Sequence, residues 1–65
     1  MELFKVILGK DEFKVVGIAN VGTGEVKFQG ILNNIPFCEN KNYERVRSQV
    51  VRAVEINTIA KEQMN

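Results

Sequence analysis

The stretch VVRAVEINTIAKEQ, residues 50–63, decides how this chain folds. Six of the ten positions from 50 to 59 are Val, Ile or Thr, and a helix restricts the χ1 rotation of such side chains, which makes them indifferent helix formers. A strand within 50–59 therefore competes with a helix. The context favours the helix, because from Asn42, a good N-cap residue, to the C-terminus there is neither Gly nor Pro. At about 100° per residue, Tyr43, Val46, Val50, Ala53, Val54 and Met64 fall on one side. That stripe is expected to pack on a sheet. A second stripe, Arg45, Gln49, Arg52, Ile56, Ile59 and Gln63, keeps heptad spacing on another face and turns from polar to apolar along its length.

Upstream, ELFKVIL (2–8), FKVVGIANV (13–21) and EVKFQGI (25–31) read as strands, with turns at GKDE (9–12) and GTG (22–24). A two-residue turn at Lys10-Asp11 sets Leu8 opposite Phe13, Val6 opposite Val15 and Phe4 opposite Gly17. A type II′ turn at Gly22-Thr23 sets Ala19 opposite Val26 and Gly17 opposite Phe28. Gly17 would then leave room for the rings of Phe4 and Phe28. One sheet face carries Phe4, Val6, Leu8, Phe13, Val15, Ala19, Val26 and Phe28, and is the expected core face. NNIPFCENKN (33–42) reads as a loop in which Ile35, Pro36 and Phe37 form an apolar plug, since Pro36 has no N–H for a ladder. The expectation is an α+β domain over residues 1–65: a three-stranded antiparallel sheet (β-β-β) followed by one C-terminal helix packed on one sheet face.

Sixty-five residues is small for independent folding, since a chain of about 60 residues buries only roughly 60% of its unfolded surface. Such domains usually draw on a disulfide, a metal, very good packing or a partner subunit. Cys38 is the sole cysteine and there is no histidine, which rules out an internal disulfide and any zinc site of the Cys/His kind. No EF-hand spacing is present. No cofactor is expected, and a homo-oligomer gains weight by elimination. Nine basic and eight acidic residues leave a formal charge of +1, too little for bulk attraction to nucleic acid or anionic lipid. The apolar run VIL (6–8) is too short for a signal-peptide core, and nothing approaches the ~20 residues of a membrane span. A cytoplasmic protein with no membrane contact is the expectation.

The lack of histidine removes the commonest general base and the Cys-His and Ser-His nucleophile pairs. Cys38 precedes the helix and is close to Lys41, two features that can lower a thiol pKa, but a small apolar filler is the simpler role. Asp11-Glu12 sit in a turn, and Glu39 and Glu44 flank a helix start, where acids favour the dipole. No enzyme is expected. VGTGEVKFQG (21–30) lacks both the third glycine of a dinucleotide fingerprint and the Gly-Lys-Ser/Thr of a P-loop, so it is a hairpin turn.

Two surfaces remain. The sheet face away from the helix would carry Leu3, Ile7, Val16, Ile18 and Ile31, with Lys5, Lys14, Lys27 and Glu25, and with Asn20 and Gln29 as possible base readers. In order of elements alone, β-β-β-α resembles a class of plant DNA-binding domain and the N-terminal domains of integrases, which lay the sheet in a DNA groove. The resemblance implies a nucleic-acid-binding regulator using the lysine-bearing face. Against it, the sheet holds no arginine, the residue of the commonest specific guanine contact. The second surface is the outer helix stripe with Ile56 and Ile59. Together the two expose more apolar surface than a small soluble monomer usually shows. The leading expectation is a non-enzymatic binding or regulatory module, a homo-oligomer acting on another protein as inhibitor or adaptor. A weaker alternative is an oligomer that holds a small anionic ligand near Arg45, Arg47 and Arg52.

Overall fold

The computed structural model describes residues 1–63. Four strands, β1 (Glu2–Leu8), β2 (Asp11–Ala19), β3 (Val26–Leu32) and β4 (Ile35–Asn40), precede one helix, α1 (Tyr43–Gln63). They form a single antiparallel sheet in the order β1-β2-β3-β4, with α1 on one face, an α+β architecture. The sheet has four strands where three are expected, so the element order that resembled the DNA-binding domains is not the order found. Residues 50–59 are helical throughout.

The extra strand lies in the stretch expected to be a loop. Asn33 and Asn34 both have positive φ, 50° and 70°, the requirement of a type I′ turn, whose twist matches that of the flanking strands. Asn33 is further tied down: its amide oxygen accepts from the Glu12 N–H at 2.9 Å and its amide nitrogen donates to Asp11 at 3.0 Å. Pro36 does not break β4, because it pairs with Ile31 across a non-hydrogen-bonded position. Its missing N–H faces away from β3, where an outermost strand needs no donor. A bulge places Gly30 opposite Cys38 and Ile31 opposite Pro36, with Phe37 as the additional residue.

The β2–β3 register matches expectation, Ala19 opposite Val26 and Gly17 opposite Phe28. Its turn differs. Positive φ falls at Gly24, 74°, rather than at Gly22, and the Asn20 carboxamide oxygen accepts from the N–H groups of Gly22 and Thr23. The β1–β2 hairpin is displaced by two residues from the expected register. It turns at Gly9-Lys10, with φ 64° at Gly9, and pairs Leu8 with Asp11, Val6 with Phe13 and Phe4 with Val15. A shift of two preserves the faces because side chains alternate with period two.

The core is built from Phe13, Val15, Val46 and Val50, all fully buried. Around them pack Phe4, Val6, Leu8, Phe28, Leu32, Cys38, Tyr43, Ala53 and Val54. Met64 of the expected stripe lies outside the described residues. Helix α1 begins where the Asn42 side chain accepts the Glu44 N–H at 2.9 Å, an N-cap. Tyr43 meets Phe28 edge to face at 5.5 Å. At the far end, Lys61 Nζ donates to the Leu8 carbonyl at 3.0 Å. Asn57 and Thr58, half-buried, donate back to the carbonyls of Ala53 and Val54, which satisfies polar groups in the stretch where β-branched residues made a helix doubtful.

The β2–β3 hairpin runs on past the start of α1, and the molecule is 49 Å long against 19 and 15 Å across. Ala19 and Val26, expected in the core, are exposed there, Val26 by 48%. They lie on the correct face, but no helix covers them.

Candidate functional site

The face of the sheet opposite α1 is formed by residues that alternate with the core set. Register places Ile7 beside Glu12, Lys5 beside Lys14 and then Ile31 and Pro36, Val16 beside Gln29 and then Glu39, and Ile18 beside Lys27. The expected residues Ile7, Val16, Ile18, Ile31, Lys5, Lys14 and Lys27 are thus brought together. Leu3 is not among them. A bulge between Glu2 and Phe4 turns it over, and its Cδ1 reaches within 3.5 Å of where a Cβ on Gly17 would stand, on the helix side. Nothing in the residue types of ELFKVIL signals a bulge.

The lysines of this face are engaged by carboxylates. Glu12 stands 3.6 Å from both Lys5 and Lys14, and Lys27 pairs with Glu39. Exposed ion pairs of this kind contribute only about 0–1 kcal/mol each to stability, but they cancel one another's field. Three lysines share the face with Glu2, Glu12 and Glu39, so it presents no net positive patch. Glu25, expected on the face, lies in the hairpin loop and pairs with Lys41 at 3.6 Å. Asn20, a possible base reader, spends its side-chain oxygen on its own turn. A shallow concavity at the hairpin end is lined by Ile18, Asn20, Glu25, Lys27, Glu39 and Lys41, whose charged members are paired with one another.

On the outer helix, Ile56 and Ile59 are exposed, by 57% and 53%. The three arginines do not converge. The Arg47 guanidinium lies over the Phe4 ring at 5.2 Å, a cation–π contact that also covers core edge. Arg47 and Arg52 border a shallow groove that also holds Glu55, Ile56 and Ile59, while Arg45 borders a different one with Asn40 and Gln49.

Cys38 is half-buried beneath α1. Burial pushes its thiol up from the ordinary range, opposed by a hydrogen bond with the Gly30 backbone, the opposite direction from that of an activated nucleophile. No group of three or more His, Cys, Asp or Glu among the described residues is arranged to hold a metal ion. No helix among them is long and apolar enough to cross a membrane.

No family model matches the chain, and neither a curated protein nor a solved structure matches it.

Proposed function

We propose that this protein is a small non-catalytic contact module, a homo-oligomer that acts on a second protein as an inhibitor or adaptor. The observation that carries the reading is the character of the open sheet face. Ile7, Val16, Ile18, Ile31 and Pro36 lie there among charges that neutralise one another. An apolar, electrically quiet strip suits contact with a protein surface of similar character, where burial drives association and paired charges at the rim set orientation. The thinness of the core supports self-association, since four fully buried side chains among the described residues are few for a domain of this size.

The nucleic-acid reading is the weaker proposal, because Lys5, Lys14 and Lys27 would have to exchange carboxylates for phosphates. Sequestration of an anion near Arg45, Arg47 and Arg52 is weaker again, as those side chains border separate surfaces.

The test is capture of interacting proteins by the immobilised wild type and by Ile18→Asp and Ile31→Asp, at low and moderate salt. Protein contact predicts capture that survives salt and is lost in both variants. Recovery of nucleic acid instead, falling steeply with salt and abolished by Lys14→Glu, would replace this reading by the weaker one.

A further inference from the structure

We infer that two copies of this chain join through the outer edge of β1, Lys5 of one pairing with Ile7 of the other, to make one eight-stranded antiparallel sheet. The inference deepens the homo-oligomer reading above and rests on it.

The argument begins with which backbone groups point outward. Met1 and Gly17 exchange both hydrogen bonds, N–H of Gly17 to the Met1 carbonyl at 2.7 Å and the terminal ammonium to the Gly17 carbonyl at 3.1 Å. Hydrogen-bonded and non-bonded positions alternate along an antiparallel pair, so Val15, Phe13 and Asp11 also address β1. Their partners Phe4, Val6 and Leu8 address β2 in return. The bond from Asn33 N–H to the Glu12 carbonyl at 2.9 Å confirms the phase, since Glu12 faces the β3 side. Lys5 and Ile7 therefore direct their N–H and C=O groups away from the sheet. Among the described residues no strand meets those four groups.

The other edge is closed to such pairing. On β4, Pro36 has no N–H to offer and Phe37 is a bulge, two devices that blunt an edge. The β1 edge between Phe4 and Leu8 has neither.

A second copy fits this edge in one register. A twofold axis through Val6 pairs Lys5 with Ile7 of the second copy and Ile7 with its Lys5, using all four outward groups. On the helix side, Val6 then meets Val6 and Phe4 meets Leu8, all half-buried in the single chain. On the open side, Lys5 meets Ile7 rather than another lysine. An axis at Lys5 would set two ammonium groups opposite each other, which is destabilising. An axis at Ile7 would bring Lys5 against Gly9, whose φ of 64° takes it out of the strand.

Two experiments test this on the full chain. In Lys5→Pro, the lost N–H is one the single chain does not use, so the fold by circular dichroism is kept while the dimer mass by light scattering halves. In Val6→Cys on a Cys38→Ala background, facing thiols at the axis oxidise to a disulfide-linked dimer at least tenfold faster than in Ile35→Cys, on the blunted edge. Non-bonded antiparallel pairs hold Cβ atoms about 4.5–5.5 Å apart, close enough for a disulfide after small adjustment. An oligomer that persists in Lys5→Pro, or equal oxidation at positions 6 and 35, overturns the edge pairing and leaves the homo-oligomer reading standing. A wild-type monomer across a hundredfold concentration range overturns both.

Discussion

A methyl group on Gly30 would stand 2.8 Å from Cγ2 of Val50 and 2.5 Å from Sγ of Cys38. The helix rests on the sheet where Gly30 offers no side chain, and that close approach buries Val50 completely. Gly30→Ala must push α1 outward or displace β4, and overpacking of this kind costs about 1–3 kcal/mol. Gly17, between rings in the sequence reading, has only ordinary neighbours at 3.5 Å or more. Gly17→Ala is expected within about 1 kcal/mol of wild type, and on the stabilising side if unfolded-chain entropy dominates. Urea unfolding of the two variants checks the pair, and equal midpoints would contradict this account of the helix–sheet contact.

Asn33 and Asn34 carry the turn that creates β4. In Asn34→Gly, the second position of the type I′ turn receives its preferred residue, with an expected gain of about 0.5–1 kcal/mol. Asn33→Ala loses the bonds to Glu12 and Asp11 and strains a positive φ, with an expected loss of about 1–2 kcal/mol. Thermal melts read both, since in a domain of this size about 1 kcal/mol moves Tm by roughly 4–8 °C.

The helix start offers a narrower check. Asn42→Ala removes the acceptor for the Glu44 N–H, and the expected loss is about 1 kcal/mol, with Asn42→Gly losing only a few tenths. Chemical denaturation should show a lower midpoint and an unchanged slope. Loss of slope would mean that α1 detaches as a unit.

Cys38 predicts a pH dependence. Burial raises its folded-state pKa above the unfolded value of about 8.5, so the folded state holds the proton more tightly. The stability this contributes is present in full below about pH 8.5 and is lost as pH rises through the folded pKa. Cys38→Ala should flatten the alkaline decline in stability. The native thiol should also react with an alkylating reagent more slowly than the same thiol in urea at pH 8. Equal rates would show that the side chain is not shielded.

How far the sequence was readable depended on whether a signal was periodic or conformational. The helix, its cap at Asn42 and the Val46–Val50 contact stripe followed from spacing and from an uninterrupted run. So did the Gly17–Phe28 register and the composition of both sheet faces, apart from Leu3 and Glu25. Four features were hidden for physical reasons. Pro36 looked like a strand breaker because its effect depends on which way a missing N–H points, and only the completed sheet settles that. The two-residue slip between β1 and β2 turned on whether Gly9 or Lys10 led the turn, and both choices keep the same side chains inside. The bulge at Leu3 is set by pairing geometry and has no residue signature. The exposure of Val26 depended on where α1 begins relative to a long hairpin, a question of relative length rather than pattern.

Pro36 and the Phe37 bulge have a consequence for growth. A sheet with two open edges can add copies without end, and such chains of strands are how soluble proteins become fibres. Here Pro36 and the bulge at Phe37 blunt the outer edge of β4. If two copies join at β1 as proposed, the unblunted edge of each is consumed, and growth is expected to stop at two. Pro36→Val would remove part of that stop, and the expected product at high concentration is a polymer of indefinite length.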